Sequence, residues 1–315
     1  MRIPAALTIL FVATACSGAE PEAADTGPGS VGAVMQPGQQ AVSLFGEPLF
    51  QQEDTTGAIA EADALLAEAP DDVDLLIAAG RVRRNFWQYR QAMELYSQAI
   101  ELAPDDWRAY RYRGHRYISV RDFGTAIRDL EAARDRAPLN WDVSYHLGLA
   151  YFMEGRFDDA ADEYLRCLAL AEDPDARAAQ SADFRSCSQN ADDPESFVAM
   201  TEWAVRAALR AGRDDAAAEL LDGVASDLEI SENIAYYHDL LLYKGEKTVD
   251  ELLDPGPDAP YRRETVGFGV ANWWVVQGDT AAAVSLLEEL VQDPWWPGFG
   301  RISAEVELYR LTVPE

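Results

Sequence analysis

Lys244 and Lys247 are the only lysines in this chain of 315 residues, and only three cysteines and three histidines accompany them. No His-Glu-x-x-His, Gly-x-Ser-x-Gly, Walker phosphate loop, Cys-x-x-Cys or EF-hand loop occurs. Those gaps remove the usual marks of zinc and serine hydrolases, nucleotide triphosphatases, thiol chemistry and calcium binding. The chain is therefore expected to be no enzyme, to need no cofactor and to hold no metal. GFGVAN (Gly267 to Asn272) follows no strand and lacks the last glycine of a dinucleotide fingerprint, so its small residues are read as helix packing. A formal net charge of -29 speaks against a nucleic-acid partner. Hydrophobic content of 48% is enough for a real core and against global disorder.

The longest apolar run near the start, AALTILFVA (Ala5 to Ala13), is too short to span a bilayer. With Arg2 before it and ATAC (Ala13 to Cys16) after it, the segment resembles a bacterial lipoprotein signal, with alanine where leucine is usual. The resemblance implies a signal peptide over 1–15 and lipidation at Cys16; an ordinary cleaved signal peptide is the alternative. Ser17 in place of aspartate implies lipid anchorage in the outer membrane of a Gram-negative envelope, facing the periplasm. Residues 16–40, rich in Ala, Gly, Pro and acid, are expected to be a flexible linker. Its 22 residues from Ala19 to Gln40 would reach about 26 Å as a coil. Cys167 and Cys187 either pair in an oxidising compartment or sit as small buried apolar side chains.

The repeat settles the architecture. Pro70, Pro104 and Pro138 recur every 34 residues. Counted so that this proline is position 32, the units 73–106, 107–140 and 141–174 carry Gly80, Gly114 and Gly148 at position 8 and Ala92, Ala126 and Ala160 at position 20. Small residues there let two helices approach closely, aromatics fill the space between them, and proline stops the second helix. This pattern resembles the tetratricopeptide repeat, which implies an all-α, right-handed solenoid of helix-turn-helix units. Degenerate units are expected at 197–230, 231–256 and 264–297, with a capping helix at 300–312. SLFGEPLF (Ser43 to Phe50) is expected to form an irregular apolar cap, because Pro48 argues against helix. Residues 172–196 are read as a loop, or a short helix plus loop. From about Ser43 onward the chain resembles exported bacterial tetratricopeptide proteins of unassigned activity, through YRYRGHRYI, HLGLAYF, YKGE, GFGVANWW and FGRISAEVEL.

The resemblance implies that positions 2, 5, 9, 12 and 13 of each first helix face a concave groove. The candidate partner-binding residues are Arg81, Arg84, Asn85, Arg108, Arg111, His115, Ser119, Tyr145 and Phe152. Residues 81–136 hold twelve arginines against eight acids, a net of +4, so the rest of the chain carries -33 (-29 minus +4). An arginine-rich subsite attracts carboxylates or phosphates, and an apolar one takes an aromatic or aliphatic anchor. The competing reading is an intramolecular ion-pair network. Arg113, at a core position, is expected to be buried against an acid. Arg128, Arg134 and Arg136 are expected to pair at helical spacing. The usual carboxylate clamp is absent, since Arg81 and Asp142 stand where Asn and Lys would fall. Asp71-Asp72, Asp105-Asp106 and Asp158-Asp159 are read as helix caps. His146 and His238 are read as structural, and Trp295-Trp296 as packing for the last helices.

The sequence thus reads as a non-catalytic scaffold in the cell envelope, binding a protein or peptide partner, in particular an acidic one. The alternative is a sensor or carrier for an anionic small ligand or cell-wall fragment.

Overall fold

The computed structural model describes residues 35–254, 256 and 263–314. The expected signal peptide, Cys16 and most of the linker lie outside the described residues, as do Pro255, Pro257 and Pro260. The linker does not extend to residue 40: Gln39–Val42 is a strand, β1, paired antiparallel with β2, Pro48–Phe50. A β-hairpin thus stands where an irregular cap was expected. Pro48 is tolerated because it opens a strand of a two-stranded sheet, where ladder bonds run on one side only.

Helices make up almost all the rest. α1 (Ala58–Glu68) precedes three helical hairpins: α2 (Val73–Asn85) with α3 (Tyr89–Leu102), α4 (Trp107–Ser119) with α5 (Phe123–Arg136), and α6 (Trp141–Glu154) with α7 (Phe157–Ala169). The short α8 (Pro174–Ala178) and a 3-10 turn, Cys187–Ala191, follow. α9 (Pro194–Arg210) and α10 (Asp214–Asp222), α11 (Ile234–Tyr243) and α12 (Val249–Leu253), and α13 (Arg263–Gln277) and α14 (Thr280–Leu290) continue the array up to α15 (Phe299–Thr312).

Local chemistry sets these bounds. The Asp72 and Asp106 side chains accept hydrogen bonds from Leu75 N–H and Arg108 N–H, capping α2 and α4, and Asn140 does the same for α6. Asp158 and Asp159 lie in the first turn of α7, where they suit the helix dipole. Ala69, Ala103 and Ala137, each before a repeat proline, leave helical geometry. A Cβ at Gly80 would lie 2.4 Å from the Tyr96 ring, and one at Gly148 2.3 Å from the Tyr164 ring. The bare backbone at position 8 is therefore what lets the aromatic at position 24 pack between the two helices.

The turn inside each helical hairpin needs a left-handed residue. Gly155 supplies it in the third unit (φ 83°), but Trp87 (φ 58°) and Arg121 (φ 68°) occupy the same place in the first two. For residues with a Cβ this costs on the order of 1–2 kcal/mol. Both side chains point at the C-terminal segment. Trp87 meets Trp295 and Trp296 edge-on at 5.3 and 5.6 Å. Arg121 pairs with Glu305 at 2.7 Å and donates to Trp296 O.

α15 does not sit over an open end of the array. Every residue from Gly300 to Leu308 is buried, including Arg301, Glu305 and Glu307. A helix covered on all sides belongs inside a core. Phe299 packs on His115 (5.1 Å) and His146 (5.7 Å), and Arg310 donates to the Phe152 and Met153 carbonyls. α15 therefore lies against the inner faces of α4 and α6. The β-hairpin joins the same helix to the first unit. Leu44 N–H donates to Glu305 at 2.7 Å, Trp296 Nε1 to Phe50 O at 3.0 Å, and Arg90 Nε to Gln40 O at 2.8 Å. The first helical hairpin and the last helix thus meet through this strand pair.

The two cysteines are bonded. Cys167 on α7 and Cys187 in the 3-10 turn form a disulfide with Cα atoms 5.1 Å apart. It holds the segment between α7 and α9 beside the start of α6, where Trp141 N–H donates to Arg185 O and Trp141 Nε1 to Asn190.

Candidate functional site

The nine residues read from the sequence fall into two groups. Ser119, Tyr145 and Phe152 are not available to a partner. Ser119 is buried and donates to the His115 carbonyl at 3.2 Å. Tyr145 stacks on Trp141 at 4.8 Å, and its hydroxyl meets that of Tyr236 at 3.0 Å. Phe152 is 1% exposed, with Phe157, Trp203 and Phe268 around it. The apolar subsite expected on the third unit is therefore filled by the chain itself, because α9, α11, α13 and α15 cover that face.

The other six stay on α2 and α4. Arg81 and Asn85 are exposed. Arg81 and Arg111 both stand over the Tyr112 ring, at 5.5 and 4.8 Å. Arg108 is committed to Asp106 (2.6 Å) and Asp74 (2.7 Å), which hold its guanidinium charged. Arg111 reaches Asp142 at 3.1 Å, yet its buried Nε has no acceptor. Arg84 is half-buried with no acceptor on its buried Nε, and no ion pair among the described residues reaches it. The His115 ring lies 4.1 Å from that of His146.

Sequence reasoning passed over Arg116 and the partnership of His146. Arg116 is 5% exposed and lies 4.7 Å over the Tyr89 ring, with no carboxylate paired to it among the described residues. Burial pushes its pKa down to about 10, with Arg84 and Arg111 adding repulsion. Burial also holds His115 and His146 well below the usual histidine range, helped by the same arginines. The signal was available in RYRGHRY: no acid lies within four residues of Arg116 on its own helix. Arg113 behaves as expected, bidentate to Asp129 at 2.7 Å. Arg134 reaches Glu163 at 3.3 Å. Arg128 and Arg136 do not make the expected ion pairs: Arg128 donates to Thr125 and Arg136 to the Pro104 and Ala132 carbonyls. The Thr125 hydroxyl and the two backbone carbonyls take up these guanidiniums in place of a carboxylate.

Antiparallel helix pairs on a common 34-residue period, with the position-8 glycine against Tyr96, Leu130 or Tyr164 inside the pair, define a helical-hairpin repeat protein. Residues 113–177 match the tetratricopeptide repeat family. Several solved structures resemble the chain. The crystal structure of MamA aligns at 18% identity over 61% of this chain and 91% of that one, with a TM-score of 0.43. The crystal structure of YrrB, described as a TPR protein with an unusual peptide-binding site, aligns at 16% identity over 73% and 100%, with a TM-score of 0.44.

Proposed function

We propose that this chain is a non-catalytic scaffold of the bacterial cell envelope that binds a protein or peptide bearing acidic groups. A lipid on Cys16 tethers it to the outer membrane on the periplasmic side. The observation that carries the reading is the set Arg81, Arg84 and Arg116, arginines without an ion pair among the described residues of a chain with 55 acids. Neutralising them internally was chemically easy, as Arg83, Arg108 and Arg113 demonstrate. Leaving them bare keeps a local field that attracts an acidic partner and speeds encounter. Arg81, Asn85 and Arg111 form the outer part of that face, and Tyr112 gives it an aromatic floor. The disulfide suits an oxidising compartment such as the periplasm, and the N-terminal pattern suits export.

Proximity labelling from the tethered protein in its native envelope, repeated with Arg81→Glu plus Arg84→Glu, tests this. A labelled protein that disappears in the double variant is the expected result. An unchanged labelled set, or steady turnover of a substrate by the purified chain, rejects the scaffold reading.

A further inference from the structure

The turn between β1 and β2, the end of α14 and one face of α15 enclose a cleft of about 370 Å³. That volume is in the range of small-ligand sites. Val291 and Leu308 give it apolar walls. Phe45 adds a ring that is 44% exposed, although Tyr309 holds it edge-on at 5.8 Å. Glu47, Glu288 and Gln292 form an exposed rim. The turn is held in shape: Ser43 N–H donates to Glu47 O at 2.8 Å, and Glu47 N–H to Ser43 Oγ at 3.0 Å. One buried charge is set in this cleft. Arg301 lines it and is 3% exposed. Its Nη1 pairs with Glu305 at 2.8 Å. Glu305 also binds Arg121 at 2.7 Å and accepts from Leu44 N–H at 2.7 Å. A single carboxylate thus serves two buried guanidiniums, and a positive charge is left over. Arg301 Nε is buried and closed to a ligand. Nη2 is the open corner: Glu47 on the rim stands 3.9 Å from it, beyond hydrogen-bond reach, with its side chain 64% exposed.

We propose that this cleft binds a small monocarboxylate with a branched or aromatic apolar body. The carboxylate takes Nη2 of Arg301, and the hydrocarbon lies against Phe45, Val291 and Leu308. The inference draws on none of the arginines behind the scaffold reading and stands or falls apart from it. A carboxylate at hydrogen-bond distance satisfies Nη2 better than Glu47 does at 3.9 Å. A doubly charged phosphate would meet the Glu47 and Glu288 carboxylates at the rim, whereas a single negative charge matches the single surplus positive one. The apolar walls account for the rest of the ligand, because a carboxylate without hydrocarbon would leave Phe45, Val291 and Leu308 uncovered. An ammonium on the same ligand would find Glu47 and Glu288 beside it.

Isothermal titration of the purified full chain with isocaproate, isocaproamide, acetate and L-leucine tests the site. Saturable one-to-one binding of isocaproate is expected. The amide lacks the charge and acetate lacks the apolar body, so each should bind at least about tenfold more weakly. L-leucine differs from isocaproate by its ammonium alone. Tighter binding of leucine points to a free amino acid and weaker binding to a simple acid; either upholds the site. Phe45→Ala should weaken isocaproate at least about fivefold. Glu47→Gln removes the nearest competing carboxylate and should tighten it about threefold. Both side chains are exposed, so the melting temperature without ligand should stay close to the native value. Arg301→Met should abolish binding; where it also unfolds the chain through the loss of its contact with Glu305, the Phe45 and Glu47 variants decide. No saturable binding of isocaproate, equal binding of the amide, or an isocaproate affinity unchanged in either Phe45→Ala or Glu47→Gln overturns the proposal.

Discussion

A methyl group in place of the hydrogen at Gly148 would lie 2.3 Å from the Tyr164 ring, and Tyr164 is fully buried. Gly148→Ala should therefore destabilise the chain by about 1–3 kcal/mol despite the gain in helix propensity. An unchanged urea midpoint would mean that α6 and α7 can separate freely. A second single-residue effect lies in the core. Arg206 contacts both Glu202 and Asp239, and all three are buried. One cation between two carboxylates leaves a surplus negative charge in low dielectric, so burial pushes Glu202 up to about 7 and Asp239 well above the usual range. Unfolded, a glutamate releases its proton near 4.3. Between these values the folded chain binds more protons, so stability from this group falls as pH rises from about 4.5 to about 7. Glu202→Gln should remove that slope, on the order of a few kcal/mol over the window. His115 and His146, depressed when folded, act in the opposite sense below about pH 6.5. Their contribution cancels when variant and native chains are compared by denaturation at each pH. Parallel pH profiles would count against a Glu202 carboxyl raised by burial.

The segment between α7 and α9 has little core of its own: α8 is five residues long, and only Ala176 in it is buried. The Cys167–Cys187 bond and the Trp141 contacts do the fixing. Reduction should cost about 3 kcal/mol and open residues 172–193 to protease first, while α2 to α5 stay protected. Cleavage elsewhere in reduced protein would show that the bond is not what holds this segment. The α2 to α7 helices were legible in the sequence because Pro70, Pro104, Pro138 and the glycines at position 8 act within one unit. The β-hairpin, the central place of α15 and the burial of Tyr145 and Phe152 were not. Each depends on partners such as Leu44 and Glu305 that lie 261 residues apart, and no local spacing encodes that meeting. Of the candidate site, the exposed arginines were legible from repeat position, whereas Arg116 was hidden by sitting one residue off the groove-facing stripe.

Across the described body, Arg121 is the joint. Its side chain is 2% exposed, its backbone is left-handed, and it binds Glu305 and Trp296 O while Glu305 also holds Leu44 N–H. Arg121→Met should remove about 3 kcal/mol, tempered by Arg301, which remains 2.8 Å from Glu305. Hydrogen exchange should then speed up in α15 and β1–β2 together, since both lean on one carboxylate. Exchange rising in α15 alone would show that the strand pair is anchored independently.

Open arrays of this repeat can lengthen by duplication, because each added unit touches only its neighbours. Here Trp87, Arg121 and Phe50 must all reach the same short stretch at Trp296. An inserted or deleted pair of helices would move those three apart by a full unit. The number of units in this body is consequently fixed by closure, and variation among natural relatives should gather in side chains and in the 172–196 excursion rather than in repeat count.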